Sequence, residues 1–168
     1  MSFNGLNARS TLNEVIAKFP SAKHDTICKG TVGTFGNGKS LCEFIKLEEY
    51  PLNGYMFEAA FFFRPNGTLK TISLHWPPIR ENTVPPSEEK VRNVKLEFVE
   101  LFASKYGPPL DNSLCQLADS NCTEWLVNGS DANFGGDRIQ IKAQLQSSDW
   151  RSIDISYEFA NVGEYSRF

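Results

Sequence analysis

The chain has 168 residues, 40% hydrophobic and 22% charged, enough apolar surface for one core or two small halves sharing one, and too little length for two large domains. Seventeen Lys and Arg face 20 Asp and Glu, a net charge of -3, which leaves no basic surplus to neutralise a phosphate backbone and sets nucleic acid aside as a partner. No apolar run approaches the roughly 20 residues of a membrane-spanning helix, and the opening MSFNGLNARS has neither the basic start nor the apolar stretch of a signal peptide.

In chain order, the first signal is Thr11-Leu-Asn-Glu14, a capping box in which hydroxyl and carboxylate satisfy free amides reciprocally. Leu12, Val15, Ile16 and Phe19 then share one helical face, and Pro20 stops the run. Residues 41–48 and 54–63 read as strands, and Arg64-Pro65-Asn66-Gly67 is a hairpin signal leading into a third strand, TLKTISLHW. On that strand Ile72, Leu74 and Trp76 alternate with Ser73 and His75, giving a core face and a wetter face that carries His75.

Residues 77–86, PPIRENTVPP, form a linker whose prolines forbid helix and remove ladder donors. Ser87 can cap a second helix, with Glu88 and Glu89 in its first turn and Val91, Val94, Phe98, Leu101 and Phe102 as an apolar stripe. Gly107 supplies a left-handed C-terminal cap, and Pro108 and Pro109 prevent continuation. Strand candidates follow at 123–128, 137–145 and 151–159, the last two alternating apolar and polar residues. The expectation is an α+β fold of two helix-plus-antiparallel-strand units in tandem, residues 1–76 and 87–168 on either side of the linker, with the helices packed on one face of antiparallel sheet.

The cysteines are Cys28, Cys42, Cys115 and Cys122, and local pairing, Cys28–Cys42 and Cys115–Cys122, is the most economical of three connectivities. Two such bridges imply a periplasmic or extracellular setting, with the absent signal making the sequence a mature form; four reduced cysteines in the cytosol are the alternative. A zinc site is disfavoured, because neither pair has C-x₂-C spacing and His24 and His75 form no H-x₃₋₅-H element.

The stretch FNGLNARSTLNEVIAKFP, the cysteine pair around a Gly-rich loop, and the hairpin FEAAFFFRPNGTLKTISLHW together resemble the BamE / beta-lactamase-inhibitor-protein-like group of small bacterial envelope proteins over roughly residues 3–76. The second half resembles the group more weakly and departs from it in its longer helix. The resemblance implies a binding module, either an enzyme inhibitor or an accessory lipoprotein of outer-membrane assembly.

Residues Gly33 to Ser40, with Lys39, match the P-loop letters G-x-x-x-x-G-K-S. A working P-loop needs a buried strand before it and a helix after it; here the preceding KHDTICKG is polar, and a Gly-rich turn between Cys28 and Cys42 explains the same glycines. His24 and His75 lie in no nucleophile context, and Glu48–Glu49 and Glu88–Glu89 are adjacent pairs that point apart. The sequons at Asn66, Asn121 and Asn128 matter only in a eukaryotic secretory pathway.

Tyr50, Tyr55, Trp76, Trp125 and Trp150 are the candidate recognition residues, each with core packing as its competing role. The expected function is a non-catalytic periplasmic or secreted protein-binding module, of inhibitor or immunity type, with no cofactor and a protein partner. The alternatives are a structural component of an outer-membrane assembly and, behind it, a nucleotide-binding protein using Lys39.

Overall fold

The computed structural model describes residues 1–25, 44–111, 113–127, 136–145 and 150–160. The capping box at Thr11 forms as the sequence requires, with the Thr11 hydroxyl accepting from the Glu14 amide and the Glu14 carboxylate accepting from the Thr11 amide at 2.7 Å. It opens helix α1, Leu12–Lys18, whose buried residue is Val15. Strand β1, Lys23–Asp25, follows, a short piece that hydrophobic alternation does not reveal. Strands β2, Phe44–Leu52, and β3, Tyr55–Phe63, are joined at Asn53-Gly54, both at positive φ (50° and 80°), the two-residue turn whose twist matches that of the flanking strands. Strand β4, Leu69–Trp76, follows a turn in which Gly67 alone takes positive φ, so Asn66 keeps an ordinary backbone.

After the prolines, Ser87 caps helix α2, Glu88–Tyr106, by accepting from the Lys90 amide at 3.1 Å. At its end Gly107 has φ 86° and ψ -172°, an extended glycine conformation instead of the expected left-handed helical cap. A further helix, α3, Leu114–Ala118, is only five residues long and is tied to the next strand by the Cys115–Cys122 disulfide, whose Cα atoms lie 5.7 Å apart. Strands β5, Cys122–Val127, β6, Asp137–Gln144, and β7, Ser152–Glu158, complete the fold. Cys28 and Cys42, and the Gly33–Ser40 stretch with Lys39, lie outside the described residues.

The tandem arrangement of two helix-plus-strand units with helices layered on one face is overturned. All seven strands form one antiparallel sheet, in the order β1-β2-β3-β4-β7-β6-β5, curled into half a barrel. The seam is β4 against β7, where six successive residue pairs from Thr71↔Glu158 to Trp76↔Ile153 join the two halves of the chain. The reason is that backbone ladders are blind to which segment supplies the partner, and a free β4 edge beside a free β7 edge would leave both rows of amides exposed. Arg64 reinforces the seam, its guanidinium donating to the carbonyls of Leu69 and Phe159.

One core results. Phe57, Ala59 and Phe61 of β3, Ile72 and Leu74 of β4, Ile153 and Ile155 of β7 and Ile139 and Ile141 of β6 are all fully buried on the inner face. Helix α2 lies against this face through Val91, Val94 and Phe98, also fully buried, with the Phe98 ring edge-on to Phe57 at 5.4 Å and Phe102 edge-on to Trp125 at 5.7 Å. Each such side chain contributes on the order of 1.5–3 kcal/mol by leaving water. The N-terminal segment closes the near end, where Phe3 packs on Tyr50 and Tyr157.

Candidate interaction surface

The outer face of the sheet is built by the residues that alternate with the core. Because register aligns them across strands, Glu58 of β3, His75 of β4, Asp154 of β7 and Lys142 of β6 stand in one row, each the direct partner of the next. Directly opposite residues have Cβ atoms about 5 Å apart, close enough for their charges and dipoles to couple. His75 Nδ1 meets Asp154 Oδ1 at 2.7 Å, and Lys46 Nζ reaches Glu58 from the neighbouring position at 3.1 Å. Lys142 turns toward Asp119 at 3.1 Å, beyond the sheet edge and next to the disulfide. That contact and the Asn121 amide hold the Asp119 carboxyl below its ordinary range, the backbone hydrogen bond being the larger cause.

Beside this charged row runs a second, also fixed by register: Ala60, Ser73 and Ser156, ending at Gln140 and Glu124. Three small side chains aligned on adjacent strands make a strip that is low by side-chain size, a trough in that sense, across β3, β4 and β7. At its far end Glu124 is only 3% exposed and accepts from Gln140 Nε2 at 3.0 Å, so the end of the trough is held rigid.

His75 and Asp154 stand near Ser73 and Ser156, but β4 and β7 are flanked by strands on both sides, so their amides are committed to ladders instead of being aimed at a developing oxyanion. The imidazole–carboxylate contact therefore orients the histidine ring on the surface. Among the described residues no group of three or more His, Cys, Asp and Glu is placed to hold a metal ion, and no helix is long and apolar enough to cross a membrane.

The five aromatic candidates do not gather into one patch. Trp125 is 1% exposed in the core and donates its indole N–H to the Gly107 carbonyl at 3.0 Å. Tyr50 packs among Phe3 and Phe19 at the near end. Tyr55 and Trp76 do come together, ring centroids 5.6 Å apart, and Tyr55 donates to Glu97 of α2 at 2.8 Å with the Lys90 ammonium over its ring. Trp150 is half exposed and lies apart from the strands. Sequence reasoning placed Ser73 and His75 on the wet face but passed over Glu58, Lys142, Asp154 and Ser156. Their alternation was visible; their alignment across four strands needed the register.

No family model, curated protein or solved structure matches this chain.

Proposed function

We propose that the protein is a binding module of an oxidising compartment that engages a protein partner through the outer face of its sheet. The observation that carries this reading is the row Glu58, His75, Asp154, Lys142 lying beside the small-residue trough of Ala60, Ser73 and Ser156. Side chains of alternating character, held on strands whose opposite face is a close-packed core, lose little conformational freedom when a partner docks, and their charge pattern selects among partners more than it adds raw affinity. The trough supplies room for a partner's larger side chains between the charges. The Cys115–Cys122 disulfide supports the periplasmic or extracellular setting, since such bonds persist where thiols are not kept reduced. The resemblance of residues 3–76 to small bacterial envelope proteins supports the same setting and an inhibitor or immunity-type role.

The test is affinity capture from an envelope extract of the source cells with three baits: the wild type, Ser73→Arg, which fills the trough, and Glu89→Arg on the exposed first turn of α2 as a control. A protein retained by the wild type and the control but lost with Ser73→Arg supports the reading, with an enzyme as that protein indicating an inhibitor and a membrane-assembly complex indicating the structural alternative. Equal retention by all three baits, or no specific retention, refutes it.

A further inference from the structure

The charged row Glu58-His75-Asp154-Lys142 crosses β3, β4, β7 and β6 in that order, and register lays a second charged row across the same four strands, Phe62-Thr71-Glu158-Arg138. The small residues Ala60, Ser73 and Ser156 run between the two. Phe62 is 37% exposed and stacks on Phe44, so the second row begins on an aromatic surface open to solvent.

Both rows have the same symmetry about the β4–β7 seam. Counting outward from the seam, each residue on the β4–β3 side has a complement at the same distance on the β7–β6 side. His75 is matched by Asp154 and Glu58 by Lys142; in the other row, Thr71 is matched by Glu158 and Phe62 by Arg138. The first two matches are of opposite charge or of imidazole with carboxylate, the third is a hydroxyl with a carboxylate, and the fourth is an aromatic face with a guanidinium. An isologous interface needs this property, because a two-fold axis that brings one residue onto another also brings the second onto the first.

We infer that the outer face docks on the outer face of a second copy of this chain, about a two-fold axis lying between the two sheets and running along the β4–β7 seam. Glu58 and His75 of each copy then meet Lys142 and Asp154 of the other, and the small residues of the middle row face one another. The inference rests on the reading of this face as a docking surface and names its occupant. Charge also selects the orientation. The other two-fold axis available to stacked sheets, along the middle row, would set Asp154 on Glu158 and Lys142 on Arg138, like charge on like. The sheet is curled around its core, so the convex faces meet along these four strands. Strands about 4.8 Å apart and rows about 6.8 Å apart span on the order of 400 Å² per copy. Two copies together fall below the roughly 1,200 Å² of a standard stable interface, which makes the dimer weak and reversible, with a Kd on the order of 100 µM.

The experiment is analytical ultracentrifugation of the purified whole chain up to about 1 mM, tenfold above that Kd. Wild type is compared with Glu58→Lys, with Lys142→Glu and with an equimolar mixture of the two variants. Wild type is expected to pass from monomer to dimer as concentration rises. Each variant alone sets like charges against each other at two symmetric places and is expected to self-associate at least roughly tenfold more weakly. In the mixture every one of those places again pairs opposite charges, so a dimer of one copy of each variant returns. Positions 58 and 142 lie three strands apart, about 14 Å within one chain, so recovery on mixing reads contact between copies. Each variant also loses an intrachain pair, Lys46 with Glu58 or Lys142 with Asp119, and mixing cannot restore those, so a folding defect would persist in the mixture. A chain that stays monomeric throughout, variants that self-associate like wild type, or a mixture no more associated than its components overturns the inference. A monomeric chain whose capture of an envelope protein is still lost with Ser73→Arg removes this inference alone; a monomeric chain with no such capture removes the reading of the outer face as well.

Discussion

If one sheet runs through both ends of the chain, weakening the β4–β7 seam must destabilise the whole molecule at once. Leu74 and Ile155 are direct partners across that seam and both are fully buried. Leu74→Ala removes side-chain carbons from a site enclosed by two strands and the core beneath, where the walls have little room to collapse. Substitutions of this kind cost about 3 kcal/mol, from lost burial and the cavity left behind. In a chain of this size each kcal/mol moves the midpoint by about 2–4 °C, so a drop of about 6–12 °C is expected. Ile155→Val, which removes one methyl from the facing residue, costs about 1 kcal/mol. The discriminating measurement is native-state hydrogen exchange alongside thermal unfolding. With a continuous sheet, unfolding stays a single transition, and the core amides of β3 and of β6, on either side of the seam, lose protection by the same free energy. Two resolved transitions, or protection lost in β3 and kept in β6, would refute the single-sheet reasoning and restore two independently folding halves.

Reducing the Cys115–Cys122 bond, or replacing both cysteines by Ser, opens a link with a sequence separation of 7. Chain-entropy arguments put its contribution at about 2.5 kcal/mol, readable as a lower urea midpoint in reductant, and an unchanged midpoint would contradict it. Gly54→Ala, at φ +80° with nothing within 4 Å of the added Cβ, is expected to cost about 1–2 kcal/mol from backbone strain alone. Alkaline stability follows from Tyr157. Its folded pKa is raised, so the stabilisation is fully present below the unfolded tyrosine value near 10 and is lost as pH climbs above it. Tyrosine absorbance at about 295 nm should therefore show one phenol ionising only with unfolding, and Tyr157→Phe should flatten the stability decline above about pH 10; a decline of the same slope in the variant would assign the effect elsewhere.

How much of this was legible beforehand varies with the range of the interaction. The Thr11 and Ser87 caps, the stripe Val91, Val94, Phe98 and Phe102, and the alternation in β4, β6 and β7 all stand in the letters, because each depends on neighbours within a turn or two of the chain. The Cys115–Cys122 bond was legible for the same reason, its partners being seven residues apart. Strand β1 and helix α3 were not, since three and five residues carry too little periodicity to register.

The candidate surface divides the same way. That Ser73 and His75 face away from Ile72 and Leu74 follows from the two-residue period of a strand. That His75 faces Asp154, 79 residues on, does not. Strand pairing is made by backbone groups that every residue shares, so sequence records which face of a strand is wet but not which strand lies beside it. By itself, then, the sequence determined the longer elements and their buried faces, and favoured the local cysteine pairing. Only the tertiary structure decided that β4 joins β7 and that four charged or polar side chains line up on the outer face.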